Sequence, residues 1–526
     1  MAYQTPGVYV REIPAQTQVT VQPTVTTAVF LGSALRGPSN PTLITSWSNY
    51  TTVFGPLSND YDLGYAVYNF FANGGGAAYV SRVANADASS ATVTFTGTVS
   101  STSTTLFALT AKSVGTWANS TAEANGLRAI VTFDRNTSTA TGTSATITSS
   151  TLFSLSLVYN GLEVERWQEL SLDPTSGRYV KDVLNLFSSY VTCGTPVTLA
   201  SGSTMVVTVV TDTYATASTA FSSGSNGTAP ATDNDAATLW YNVINGNGST
   251  LQGYGNIKNP LLINFVGQTV KVIVDKALLY ASERGDSFVI IDCGKSDDYN
   301  TAASRDYGTS TTKAYGAAYF PALVMGDPAR SGPAALRTCF PGGAVAGAYV
   351  RSENTRGVAK APAGYSLDIA NVYGLAANVT TSQEATLYST KGTNVFRALP
   401  GGTFIINGAR TLSTVRPDKY ITVRRSLNYV KALLESQTAF AVFEPNDSRL
   451  WDKINNRLSA LLTGFWASGN LKGTSPTEAF YIICDATNNT SATIADGFVN
   501  VEVGVSLLSP AEFIVININQ WSGTNA

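Results

Sequence analysis

Apolar positions change their spacing several times along the chain, and each spacing predicts a different element. Short apolar runs at 28–32 and 77–83 read as strands, with a helix-spaced stretch at 63–72 between them and the breaker Gly74-Gly75-Gly76 ahead of the second run. Helix spacing returns at Val270, Val274, Ala277, Leu278 and Ala281, stops at Gly285, and leads into a predicted strand at 287–292. A helix delivered to a buried strand across two residues is an α/β unit. The clearest helical stripe is Trp451, Ile454, Leu458, Leu461, Leu462 and Phe465 within 448–468, with Asn446 or Asp447 as N-cap and Gly469 just past the end. Leu427, Val430, Leu433 and Leu434 predict a helix before it. Strands are predicted at 440–443, 479–484 and 498–507, the last with Val499, Val501, Val503 and Val505 on one face.

From about 86 to 254 the pattern differs. Thr- and Ser-rich runs at 89–105 and 137–151 surround alternating segments such as 152–159, which predicts a β-rich insertion, outward-facing and tolerant of variation. Its last piece, 236–244, reads as a short helix ending at Asn245-Gly246. The two ends of the chain read as extended segments. In 1–24, Pro6, Pro14 and Pro23 exclude a long helix, while Thr17, Val19 and Val21 alternate with Gln18 and Thr20. At the other end, AEFIVININQW (511–521) places Ile514, Ile516 and Ile518 on one side and Phe513, Val515, Asn517, Asn519 and Trp521 on the other. A two-faced terminal strand needs a sheet edge, its own or a neighbour's.

Composition changes the picture in one respect. At 526 residues the chain has room for three or four units at roughly 150 residues each. Hydrophobic content is ordinary at 44%, but only 13% of residues are charged, about half the usual share. The surface is therefore built from Thr, Ser, Asn and Gly, which cost less than Lys or Glu to desolvate against a neighbour. That suits a chain that hides surface in an assembly, although a secreted or phage-borne β-rich monomer carries the same bias. The formal net charge of −2, from 33 basic and 35 acidic residues, builds no positive field for nucleic acid or an anionic membrane. The opening MAYQTPGVYVREIP lacks an export signal, and no run of 18 apolar residues predicts a membrane span, so the chain is expected to stay in the cytoplasm where it is made until an assembly carries it out. Cys193, Cys293, Cys339 and Cys484 are far apart and read as buried thiols under reducing conditions. Sequons at Asn119, Asn136 and Asn226 are read as chance in an Asn- and Thr-rich chain.

Candidate chemistry is sparse. The chain has no histidine, which removes the commonest general base and metal ligand together with every Ser-His and Cys-His pair. Gly294-Lys295-Ser296 follows a predicted strand, but Val289 stands where a phosphate loop needs its first glycine, so an ordinary turn is expected. Asp233-Asn234-Asp235 lacks the glycine and closing acid of a calcium loop, and Gly246-Asn247-Gly248 lacks the third glycine of a dinucleotide loop. Adjacent Asp297 and Asp298 read as solvated residues rather than a catalytic pair. No catalytic residue, cofactor site or metal site is expected. Arg410, Arg416, Arg424 and Arg425 form the one local concentration of basic charge, either a solvated face or an ion-pair strip for an inner partner or adjacent subunit.

Several segments, in order, resemble the tail sheath family of contractile phages, pyocins and contractile injection systems. They are TPGVYVREIP (5–14), PGGAVAGAYVRSENTRGVAKAPAG (341–364), RTLSTVRPDKYITVRRSLNYV (410–430), FEPNDSRLW (443–451), EAFYIICDATNN (478–489) and SPAEFIV (509–515). The resemblance covers 1 to about 85 and about 255 to 526, and leaves the insertion without a counterpart. It implies an α/β (α+β) core built from the N- and C-terminal portions, with a β-rich inserted domain and extended terminal arms exchanged between subunits. The expected divisions are 1–24 as N-terminal arm, 25–85 plus 255–355 as core, 86–254 as insertion, 356–510 as C-terminal sheath domain and 511–526 as C-terminal arm strand. Val8, Val10, Val19, Val21, Phe513, Ile514, Val515, Ile516 and Ile518 are then the expected inter-subunit arm residues. The implied partners are further copies of the chain in a helical homo-polymer, a tail tube protein, and baseplate and tail terminator proteins, with no nucleic acid and no membrane insertion. The implied function is a structural subunit that contracts around the tube, in a virion or in a related bacteriocin or injection particle. An extracellular β-rich adhesin or a carboxylate-only glycosidase is the alternative from another class, and the missing export signal weighs against both.

Overall fold

A computed structural model describes residues 26–120, 125–134, 139–141, 144–199, 203–208, 216–229, 231–232, 236, 238–240, 252–332 and 335–512. The expected arm residues Val8, Val10, Val19, Val21, Phe513, Ile514, Val515, Ile516 and Ile518 lie outside these, as does the Asp233-Asn234-Asp235 turn. The short helix expected at 236–244 is described only at Ala236 and 238–240, which are helical.

The continuous apolar runs become the centre of an eight-stranded sheet. Its order is Thr42–Ile44, Ala78–Arg82, Thr27–Gly32, Leu261–Phe265, Phe288–Ile291, Gly316–Phe320, Asn394–Leu399, Thr403–Asn407. The six inner strands run parallel, and each outermost strand is antiparallel to its neighbour. Parallel strands require cover on both faces, which explains why their sequences do not alternate with polar residues. Along Thr27–Gly32, Ala28 and Phe30 face a core shared with helices Leu63–Ala72 and Gly342–Arg356, while Val29 and Leu31 face one shared with helix Lys271–Arg284. Gly285 ends that helix at a φ of 75°, a left-handed cap that suits glycine. Helix Gly342–Arg356 lies so close to Leu63–Ala72 that a Cβ on Gly343 would sit 2.1 Å from the Ala66 carbonyl oxygen, and one on Gly347 would sit 2.5 Å from that of Phe70. Only glycine permits that approach.

Between strands Ala78–Arg82 and Leu261–Phe265 the chain builds two antiparallel sheets. One has the order Leu162–Ser171, Leu152–Tyr159, Leu127–Phe133, Thr216–Ala220, and the other Val191–Cys193, Thr102–Ala111, Thr92–Val99, Met205–Thr208, Ser144–Ile147, Thr139–Thr141. They share a separate apolar core, with Val93, Phe95, Phe107, Val131, Leu155 and Leu157 among its members. Thr92–Val99 alternates exposed Thr with buried apolar residues, so the Thr-rich runs are themselves strands. The region is seated on the central body through arginines. Arg36, on the central side, lies 4.4 Å from the Tyr190 ring centre, 5.4 Å from that of Tyr159 and 5.7 Å from that of Trp117. Arg82 donates to the Ala34 carbonyl at 2.9 Å and to that of Val114 at 2.7 Å.

In the C-terminal part, helix Ser448–Ala467 begins where Asp447 accepts the Leu450 N–H, and Gly469 follows its end at a φ of 78°. It packs on helix Ile421–Thr438, with Tyr429 and Phe465 stacked at 5.7 Å. The latter helix spans two cores, since Ile421 belongs to that of the central body and Val430 and Leu433 to the C-terminal one. Two strand expectations need correction. Residues 440–443 are not a strand: Ala439–Ala441 is a 3₁₀ turn and Phe443 stands exposed at a φ of 67°. Of 498–507 only Glu502–Val505 pairs as a strand, because its one partner in the sheet, Phe480–Ile483, is four residues long. Helix Trp47–Phe54 was not expected, although Ser46 caps it by accepting the Asn49 N–H. All four cysteines are buried free thiols.

Candidate functional site

Three of the four clustered arginines are turned inward onto carboxylates of the chain. Arg410 forms a two-pronged pair with Glu512, Nε to Oε1 at 2.9 Å and Nη2 to Oε2 at 2.7 Å, with both side chains 8% exposed. The Tyr388 hydroxyl donates to Glu512 Oε1 at 2.6 Å, that of Tyr420 donates to Oε2 at 3.4 Å, and Lys419 Nζ lies 3.9 Å away. Arg410 also stacks on the Tyr388 ring at 3.8 Å and donates to the Tyr388 carbonyl. Burial pushes the Glu512 carboxyl up, but hydrogen bonds from Arg410 and Tyr388 and the charges of Arg410 and Lys419 outweigh it and hold the group below its usual range. Asn394, on an inner strand, fixes the Arg410 backbone by accepting its N–H and donating to its carbonyl, both at 2.8 Å.

Arg425 makes the second anchor. Its guanidinium, 5% exposed, bonds Glu353 Oε2 and lies 4.6 Å from the Tyr349 ring centre. The other carboxylate oxygen, Glu353 Oε1, accepts the Thr26 hydroxyl at 2.8 Å and the Thr26 N–H at 3.3 Å. Thr26 is the first described residue and Glu512 the last, and each is held by one of the two buried pairs. Arg424 pairs with Asp418 at 2.6 Å and lies 4.5 Å from the Tyr315 ring centre, whereas Arg416 is exposed. Sequence reasoning singled out the arginines and missed Glu353, Glu512, Tyr388 and Tyr420. A signal was present: in a chain so poor in charge, Glu353 and Glu512 each sit inside a motif of mostly small and apolar residues.

The C-terminal sheet is open. Phe480–Ile483 and Glu502–Val505 pair with each other, and the outer edge of each has no strand beside it among the described residues. Next to it a groove of about 810 Å³ runs between the two long helices, lined by Leu434, Ile454, Leu458, Val499, Val501 and Val503. Val442 and Phe443 line the same groove, with side chains that face solvent.

The residues tested for catalysis are used for structure. Gly294 donates to Asp297, which pairs with Arg305 at 2.5 Å; Lys295 pairs with Asp62 at 2.6 Å; and Asp298 caps helix Tyr299–Ser304. Asp297 is thus held in a mostly shielded ion pair rather than solvated as expected, while Asp298 is exposed. Asp292 accepts N–H groups from Gly342 at 2.6 Å, Gly267 at 2.9 Å and Asn264 at 3.1 Å, and burial pushes its carboxyl up to about 6. A cavity of about 120 Å³ beside it, at the ends of strands Phe288–Ile291 and Gly316–Phe320, is lined by Arg305, Tyr307, Lys313 and Lys391. Arg305 and Lys313 there are paired with Asp297 and Asp306. Among the described residues no three His, Cys, Asp or Glu side chains gather as metal ligands, and no helix is long and apolar enough to cross a membrane.

The mixed α/β body is a fold shared with solved sheath proteins of contractile systems. Residues 417–520 match the family of phage tail sheath C-terminal domains, so the chain carries that domain and the resemblance read from its sequence holds. Solved structures share the fold at low identity. The sheath of an extracellular contractile injection system, PVC, in its contracted state is 18% identical, with 99% of each chain covered and a TM-score of 0.55. The contracted helical sheath of the anti-feeding prophage is 18% identical over 99% of this chain and 100% of that one, at 0.54. A sheath tail protein of Listeria innocua is 12% identical over 88% and 89%, at 0.57. No curated protein matches the chain by sequence.

Proposed function

We propose that the chain is the structural subunit of a contractile tail sheath, polymerising helically around an inner tube and shortening to drive that tube through an envelope. The observation that carries this reading is the tail sheath domain at 417–520, whose two-stranded sheet has no strand beside either outer edge among the described residues. A strand added there gains main-chain hydrogen bonds worth about 0.5–1.5 kcal/mol each, while its linker lets the subunit bodies rotate. The donors are the arms: Val8, Val10, Val19 and Val21 at one end, Phe513, Ile514, Val515, Ile516 and Ile518 at the other. Because one patch meets a different patch on the next copy, the contact is heterologous and does not close, and the tube sets the length.

The partners are further copies of the chain, the tube protein, and baseplate and terminator proteins, in a particle assembled in the host cytoplasm as a virion tail, a bacteriocin or an injection system. In this reading 86–254 is the outward-facing inserted domain, 25–85 with 255–355 the core, 356–510 the sheath domain, and 1–24 and 511–526 the arms. Arg416, the exposed member of its group, is the candidate for a tube- or neighbour-facing charge. The stroke uses no catalytic site or cofactor: at about 25 cal/mol per Å², a few hundred Å² of extra burial per subunit supplies several kcal/mol gross. Electron microscopy of the purified full chain tests the proposal, with hollow striated cylinders expected and dispersed particles at high concentration against it. Deleting 1–22 or 511–526 is expected to leave folded monomers without ordered tubes, and tubes of normal pitch from both deletions would overturn arm exchange.

A further inference from the structure

The two root anchors belong to one stretch of chain. Arg410, which grips Glu512, and Arg425, which grips Glu353 and through it Thr26, are the ends of a sixteen-residue segment that folds back on itself. Arg410 and Tyr420 sit side by side as an antiparallel bridge, and the Thr411 N–H donates to the Lys419 carbonyl at 3.0 Å. The Thr411 hydroxyl donates to the Asp418 carbonyl at 2.6 Å, and Arg424 pairs with Asp418 at 2.6 Å. The segment is bound to the central body where Leu412 N–H donates to the Gly316 carbonyl at 3.0 Å and Ile421 N–H to that of Ala409 at 3.1 Å.

We infer that residues 410–425 are a tension bridge, joining the root of the N-terminal arm to the root of the C-terminal arm within each subunit. The inference rests on the arm-exchange reading above and adds where the pull is carried. Apolar contacts slide under shear, whereas a desolvated fork between guanidinium and carboxylate holds one geometry. The chain places such a fork at Glu512 and a single buried guanidinium–carboxylate contact at Glu353, and joins them through a cross-bonded segment. Beyond what the backbone carries from Thr26 into strand Thr27–Gly32, force arriving on one arm passes through Arg425, the segment and Arg410 to the other arm.

A path in series fails at its weakest link, which gives the test. Tubes are assembled from the parent chain, Glu353→Gln, Glu512→Gln and the double variant, and their mean length is measured after calibrated shear, alongside thermal unfolding of each monomer. Each single substitution is expected to shorten sheared tubes at least threefold, and the double variant to break at the length of the weaker single, even though the monomer melting shifts add. Fragment lengths in the double variant that multiply the two single effects would mean independent anchors and would overturn the bridge. Parent-like strength in both singles would overturn it too, and if the arm deletions still abolish tubes, arm exchange survives that failure. Normal tubes from the arm deletions would remove both. Should a Gln variant not fold, Tyr388→Phe and Arg425→Lys, which loosen the same anchors more gently, are read by the same criterion.

Discussion

The central sheet and the C-terminal sheet are made of similar apolar residues and come to opposite ends. Every residue of Thr27–Gly32, Leu261–Phe265, Phe288–Ile291 and Gly316–Phe320 is buried, and antiparallel strands bound the sheet on both sides. In Phe480–Ile483 and Glu502–Val505 no residue is fully buried and Tyr481 is 52% exposed. A two-stranded ribbon is marginal by itself, and this one is held by its face, where Ile482, Val503 and Val505 pack with Leu462 and Phe465 of helix Ser448–Ala467. One sheet buries its inner strands on both faces, while the other has no strand beside either outer edge among the described residues. Damage to the first is therefore expected to appear in the monomer, and damage to the second in the polymer.

The sharpest break of the comparison is Gly343→Val, which drives a side chain into the Ala66 backbone. It is expected to cost more than about 4 kcal/mol and to leave no cooperative unfolding transition by circular dichroism. Asp292→Ala comes next, at about 3 kcal/mol in urea melts, because it leaves the N–H groups of Gly267 and Gly342 buried without their acceptor. The sign of its pH dependence follows from burial raising Asp292 from 3.8 to about 6. The folded state holds this proton more tightly than the unfolded chain, so the residue's contribution is greatest below 3.8 and falls as pH rises to about 6. The gap between parent and variant should narrow across that window.

Substitutions around the C-terminal sheet should reverse the pattern. Val501→Lys, at a partly buried groove position, is expected to change monomer stability by less than about 1 kcal/mol, since lysine can lay its stem along the groove, yet to abolish tubes in the electron microscope. The smallest effect belongs to Phe443→Gly. Phe443 is fully exposed at a φ of 67°, so glycine should leave the monomer unchanged or up to about 1 kcal/mol more stable, while weakening assembly in sedimentation.

Elements whose burial is one-sided or complete were readable from spacing: helix Leu63–Ala72, strand Leu152–Tyr159, and the helix whose cap is Asp447. Phe440 to Phe443 misled because an apolar run resembles a buried strand whether it is covered or left in solvent, and spacing carries no information about cover. The anchors were half legible. The arginines stood out as a local excess of charge, but their partners lie 72 and 102 residues away, and only the folded chain brings Glu353 to Arg425 and Glu512 to Arg410.

The aromatic seat around Arg36 ties the region of the two antiparallel sheets to the central body. Tyr159, gripped by that cation, leads into the tight turn at Asn160 and Gly161, and Leu162 beyond it is 72% exposed. A fluorophore or small tag placed at this turn would report the orientation of that region without substituting any residue of the C-terminal sheet or of the two buried arginine pairs.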